Sequence, residues 1–135
     1  MPYFMKTITV STTQDRQAID LTESLQKLVA EEKIENGVLV VFVKHTTCAL
    51  TTVDLDPGTD LDYLKAFDQI APKLKYNHPH DPSHFNEHLL SSLIGTDLVI
   101  PIEQGDLGLG PWQKIVLFEF SGPRTRNLSV SIVKY

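Results

Sequence analysis

The sequence contains a single cysteine, Cys48. One cysteine excludes an intrachain disulfide, a multi-cysteine zinc site and an iron–sulfur cluster held within one chain. Long apolar runs are also missing. The longest, Val38 to Val43, has six residues, against the roughly 20 a helix needs to span a bilayer, so no transmembrane helix is expected. Positive charge is in deficit: 12 lysines and arginines face 17 acids, for a net charge of −5. That argues against non-specific nucleic-acid binding, which needs a cationic surface. The start, Met1-Pro2-Tyr3-Phe4-Met5-Lys6, lacks the apolar stretch and cleavage site of a signal peptide. No repeat, low-complexity tract or linker interrupts the 135 residues. With 41% hydrophobic and 21% charged residues, the expectation is a soluble, cytoplasmic chain folding as one domain over 1–135.

What is present is strongly patterned. Tyr3 to Thr12 alternates, with Phe4, Ile8 and Val10 on one side, as in a half-buried strand. Leu21, Leu25, Leu28 and Val29 recur at helical spacing and predict an amphipathic helix of about 14 residues. Asp20 or Thr22 can cap it, and Asn36-Gly37 turns the chain beyond its end. Val38 to Val43 predicts a central strand buried on both faces. Cys48 to Val53 predicts another strand, and Asp56-Pro57-Gly58 a turn. Leu61, Leu64, Phe67, Ala71 and Leu74 suggest a helix interrupted near Pro72. Tyr76 to Ser83 reads as a loop, with Ser83 capping a short helix from about His84 to Leu93, stopped at Gly95. Leu98–Ile102, Trp112–Phe120 and Asn127–Lys134 predict strands, and residues 103–106 a hairpin connection. Strands and helices mix without strict alternation, which places the fold in the α+β class.

The candidate chemistry centres on histidine. His78, His80, His84 and His88 crowd into eleven residues, and His45 stands at the end of the Val38–Val43 run. Imidazole is the commonest nitrogen ligand for zinc, and a three-histidine site leaves a coordination position open for water or substrate. Asp81 is a candidate for holding a ring nitrogen. Against this stand a polar loop merely rich in histidine and, for His45, a capping or packing role at a strand end.

Glu119 shares a strand face with Ile115 and Leu117. A carboxylate there must be paired, metal-bound or at an edge, because burying it unpaired is costly. It is a candidate for acid–base work or for an ion pair with Arg124 or Arg126. Those two arginines, two residues apart, would point the same way on a strand and suit a phosphate or carboxylate. Asp54 and Asp56 could hold a divalent ion, whereas Asp60 and Asp62 read as helix-start acids. Cys48 reads as a buried residue rather than a nucleophile.

Several of these pieces together resemble the YjbQ-like family, also described as secondary thiamine-phosphate synthase enzymes. His45-Thr46-Thr47-Cys48-Ala49-Leu50-Thr51 is similar to its His-Thr-Ser/Thr-x-Ala/Ser-Leu-Thr string. Asp56-Pro57, Tyr76-Asn77-His78, and His88 with Ser91-Ser92-Leu93-Ile94-Gly95 follow in the family's order. So do Pro101, Gly105, Gly110, Trp112-Gln113 and Glu119. Where the family has Glu-His-Arg, this chain has Glu119-Phe120-Ser121, leaving Arg124 or Arg126 to replace the charge. His84 stands where Asn or Asp is more usual and adds a candidate ligand.

The resemblance implies a two-layered β-sandwich with two or three helices, assembled as a homotrimer. It implies a pocket where His45, His78 and His88 converge on a divalent metal, with His80, His84 and Asp81 as additional ligands or supports. Zinc is the first expectation, magnesium the second if the substrate is a diphosphate. The implied activity joins hydroxymethylpyrimidine diphosphate to thiazole phosphate with release of diphosphate. Arg126, with Arg124, would bind the phosphate group, and Glu119 would orient a ligand or move a proton. The alternatives are a metal-dependent hydrolase in which the metal activates water, and a non-catalytic trimer that binds a phosphorylated metabolite.

Overall fold

The computed structural model describes residues 3–135. Met1 and Pro2, part of the N-terminus read above as lacking a signal peptide, lie outside them. Eight strands and three helices follow in the order β1 (Tyr3–Ser11), β2 (Gln17–Asp20), α1 (Thr22–Glu31), β3 (Gly37–Val43), β4 (Cys48–Val53), α2 (Thr59–Ile70), α3 (Phe85–Ile94), β5 (Asp97–Glu103), β6 (Asp106–Leu107), β7 (Lys114–Glu119) and β8 (Thr125–Lys134). A short 3-10 turn, Pro82–His84, leads into α3. The α+β class is therefore observed. The strands form two antiparallel sheets, one ordered β1-β8-β3-β5-β6 and the other β2-β7-β4. None of the helices among the described residues is long and apolar enough to cross a membrane.

Two apolar clusters explain the layering. Between the sheets, Leu39, Val41, Leu128, Val130 and Ile132 meet Leu50, Ile115 and Leu117, with Leu25, Leu28 and Val29 of α1 closing the end. On the far side of the smaller sheet, Ala49, Val116, Phe118 and Phe120 pack under Leu64 of α2 and Leu90 of α3. The strand buried on both faces is thus β7, where every residue from Ile115 to Phe120 is buried. The expectation for Val38–Val43 is corrected: Leu39, Val41 and Val43 face inward, but Val38, Val40 and Phe42 face outward and are less buried. An unbroken apolar run is compatible with either situation, because an outward face can be apolar without being covered within one chain.

Local details also differ. Helix α1 is shorter than the apolar spacing suggests. Leu21 is its N-cap residue without a side-chain cap, while Asp20 Oδ1 accepts from Thr22 N at 2.9 Å. Ser83 does not cap the third helix. Its N-cap residue is His84, without a side-chain cap, and Asp81 caps the preceding 3-10 turn, accepting from Ser83 N at 3.0 Å and Ser83 Oγ at 2.6 Å. Strand β2 has four residues, too short for alternation to register. The hairpin at 103–106 is present, with Gln104 (φ 51°) and Gly105 (φ 83°) both left-handed, as a type I′ turn requires.

Candidate functional site

The link Lys44–Thr47 crosses from the larger sheet to the smaller, and it is pinned at both ends. Lys44 N donates to Asn127 O at 3.2 Å, and Phe120 N donates to Thr47 O at 3.1 Å. The site is built around this crossover. Helix α3 is fastened beside it by Ser91 Oγ, which donates to Cys48 O at 2.7 Å. One turn earlier on the same helix, His88 Nδ1 donates to Thr46 O at 3.1 Å.

His78 reaches the same place from the loop after α2. Tyr76 packs its ring 4.6 Å from Phe85, tying the loop to α3. His78 Nδ1 donates to Asp81 O at 3.3 Å. The His78 and His88 rings then lie 5.0 Å apart. A carbonyl oxygen can only accept, so both rings carry a proton on Nδ1, and the neutral rings have their lone pair on Nε2. Histidine ligands are oriented in this way, with one nitrogen tied to a carbonyl and the other left for the metal.

His45 is arranged the other way round. Its Nε2 accepts from Asn127 N at 2.8 Å. Burial, then the neighbouring Arg126, hold its pKa below the ordinary histidine range. Among the described residues, no set of three or more His, Cys, Asp or Glu side chains is placed to hold one metal ion. The donor chemistry of His78 and His88 fits a metal, and that of His45 as oriented does not. His80 is exposed with a left-handed backbone (φ 70°). His84 lies outside α3, with Nε2 3.5 Å from Asp81 Oδ2 and Nδ1 3.7 Å from Glu87 Oε2. Asp81 does support a histidine ring, though through its backbone carbonyl.

Glu119 and Arg126 form a buried ion pair that bridges the two sheets, 0% and 2% exposed. Arg126 Nε donates to Glu119 Oε1 at 2.9 Å, and Nη2 donates to Glu119 Oε2. Nη2 also reaches Thr47 O (3.1 Å) and Thr47 Oγ1 (2.8 Å). Thr12 Oγ1 (2.7 Å) and Ser121 N (3.1 Å) donate to the carboxylate as well. Burial pushes the Glu119 carboxyl up, but the hydrogen bonds from Arg126, Thr12 and Ser121 outweigh it. The group ends below the usual carboxylate range. Cys48 is completely buried, and burial raises its thiol to about 11. It is a packing residue.

The two arginines do not share a strand face. Arg124 precedes β8 and is exposed, whereas Arg126 points inward. Both nevertheless line one cleft of about 680 Å³, together with Lys44, His45, Thr46, Thr47 and Thr125. Three cations, three hydroxyls and no acid make this cleft locally positive on an acidic protein. Arg124 Nε is anchored on Ser121 O at 2.6 Å. A second cleft of about 700 Å³ shares His45 and Thr46 and continues over Phe85, His88, Leu89, Ser91, Ser92 and Thr96. Asp54 is not part of either cleft; its carboxylate accepts from Asp56 N at 3.1 Å, a turn role.

The model of the YjbQ-like UPF0047 proteins matches residues 6–135. The chain belongs to the YjbQ-like family. It is 35% identical over 124 residues to a UPF0047 protein of Archaeoglobus fulgidus, covering 91% of this chain and 96% of that one. It is 32% identical to the Bacillus subtilis UPF0047 protein YugU, covering 96% and 98%. A Sulfolobus solfataricus protein described as YbjQ-like and of unknown function superposes with a TM-score of 0.91 at 29% identity, covering 98% of both chains. A Clostridium acetobutylicum protein of the same family superposes at 0.85 with 38% identity, covering 95% and 99%.

Two of the strings that carried the YjbQ-like resemblance meet at the crossover, whereas Pro101, Gly105, Gly110 and Trp112-Gln113 line neither cleft. The His45–Thr51 string supplies the link and β4, and the His88–Gly95 string supplies α3. Sequence reading missed Lys44, although it adjoins His45. It also missed Thr12 and Asn127, which carry no signal because their partners are over 80 residues away.

Proposed function

We propose that this YjbQ-like protein is a metal-dependent enzyme acting on a phosphorylated small molecule, with thiamine-phosphate synthase-type condensation as its reaction. One observation carries the reading: two histidines with free Nε2 lone pairs stand against the crossover segment that walls an acid-free cationic cleft. His78 and His88 would hold the metal, zinc by the chemistry of imidazole or magnesium where a diphosphate supplies oxygens. When bound, the metal supplies Lewis acidity toward phosphoryl oxygens.

Lys44 and Arg124 are the groups that bind the diphosphate and stabilise its charge as it departs. The thiazole nitrogen lone pair forms the new bond to the pyrimidine methylene carbon. The carbon–oxygen bond to diphosphate breaks, and its electron pair leaves with the diphosphate. No nucleophilic side chain is needed, in keeping with the buried Cys48. Arg126 and Glu119 hold the crossover in shape, because Arg126 Nε and Nη2 are engaged by Glu119 and Thr47. The test is incubation with hydroxymethylpyrimidine diphosphate and thiazole phosphate. One diphosphate released per coupled product, dependent on both precursors, is expected. Release without the thiazole partner would replace this reading with a hydrolase.

Self-association as a homotrimer is part of the same proposal. The outer face of the larger sheet carries Tyr3, Met5, Val40, Phe42, Val99 and Val133, an apolar surface left open by the single chain. Val99 is 61% exposed, so Val99→Asp should fold normally and fall to the 15.2 kDa monomer. Sedimentation of the wild type at about three chain masses is expected; a wild-type monomer would contradict it.

A further inference from the structure

We propose that His45 is a fixed hydrogen-bond donor to the anion in the cationic cleft and not a third metal ligand. The proposal rests on the anion-site reading above, but not on the metal reading.

Asn127 opens no ordinary ladder pair toward β3 at this point, since that pairing ends at Val43 and Leu128. Its N–H instead goes to His45 Nε2 at 2.8 Å, and its carbonyl accepts from Lys44 N at 3.2 Å. Residue 127 therefore clamps the crossover through both of its peptide groups. A backbone N–H can only donate, so Nε2 is the acceptor and the ring proton sits on Nδ1. That leaves His45 with no lone pair for a metal. To become a ligand through Nε2 it would have to surrender the Asn127 bond and orphan that N–H.

The same tautomer makes His45 useful to an anion. The ring lines the cleft with Lys44, Arg124 and Arg126, where every other charged wall residue is a cation. A neutral N–H donor adds direction to such a site without adding charge. His78 and His88 carry the same Nδ1–H tautomer but spend that proton on carbonyls, which leaves Nε2 as their open nitrogen. The three histidines thus divide into two with open lone pairs and one with an open proton.

The test uses the full-length protein. Two-bond proton–nitrogen spectra of the 15N-labelled imidazoles separate the two tautomers, and His45→Gln identifies the His45 signals. The expected result is Nδ1–H for His45 in metal-free protein, unchanged on adding zinc. Inorganic diphosphate added to metal-free protein should shift that Nδ1–H, and His45→Gln should weaken diphosphate binding about tenfold, the loss of one hydrogen bond to a charged partner. The variant should keep wild-type zinc content. An Nε2–H tautomer, a zinc-induced move of the His45 nitrogens into the ligand range, or loss of zinc in His45→Gln would overturn the proposal. Zinc that moves none of the three rings removes the metal reading alone; His45 is then decided by its tautomer and its response to diphosphate.

Discussion

Replacing Arg126 by Met is expected to destabilise the protein by about 3–5 kcal/mol, the cost of leaving one member of a buried ion pair without its partner. Glu119 is completely buried, and Thr12 Oγ1 and Ser121 N alone would remain to it. For a chain of this size that is a fall in Tm of about 10–20 °C, a large part of a stability of about 5–15 kcal/mol. The double variant Glu119→Leu/Arg126→Met should regain most of the loss, because no charge is then left stranded. If Arg126 served mainly to grip substrate, the single variant would keep its Tm and lose only ligand affinity.

The pH dependence gives an independent check. In the wild type Glu119 is held below its unfolded value near 4.3, so its contribution is complete above that pH. It is lost as pH falls through the lower folded value. Without Arg126, burial acts with less opposition and pushes the carboxyl up. The deficit of Arg126→Met should then be greatest at neutral pH and shrink toward pH 4. Circular dichroism melts at pH 4 and pH 7 read the sign directly.

The second large effect is on binding. Lys44→Ala and Arg124→Ala should each weaken inorganic diphosphate about tenfold, and together about a hundredfold, since each removes a charge-assisted donor from the cleft. Both side chains are exposed, so stability should change by no more than about 0.5 kcal/mol. Exposed charges are also screened, and wild-type affinity should fall steeply between 0.05 and 0.5 M salt, on the order of the change expected as the Debye length shortens. Calorimetric titration of the double variant decides it. Affinity within threefold of wild type would remove the cleft as the anion site.

The two effects separate residues that the sequence presents alike. Arg124 and Arg126 look equivalent in Gly-Pro-Arg-Thr-Arg, yet β8 starts between them, turning one inward to Glu119 and leaving the other at the rim. Strand direction across the sheets decides this, and no local pattern encodes it. Periodicity did locate most strands, α1 and α2, because each buries one face at its own period, and the Gly95 stop located α3. Periodicity failed where burial is a tertiary matter. Val38–Val43 and Ile115–Phe118 are both apolar runs, and only the second is enclosed by two layers. The histidines were legible as a cluster. Their tautomers were not, since Asn127, Thr46 and Asp81 set them from distant parts of the chain or through backbone carbonyls.

The central claim, a metal held by His78 and His88 beside an anion cleft, is tested most directly by metal content per chain. Untagged wild-type protein and His88→Ala, purified without added metal, would be measured by plasma mass spectrometry. Near-stoichiometric metal in the wild type and its loss in the variant are expected. Metal absent from both, with none taken up on titration with zinc or magnesium, would contradict that claim.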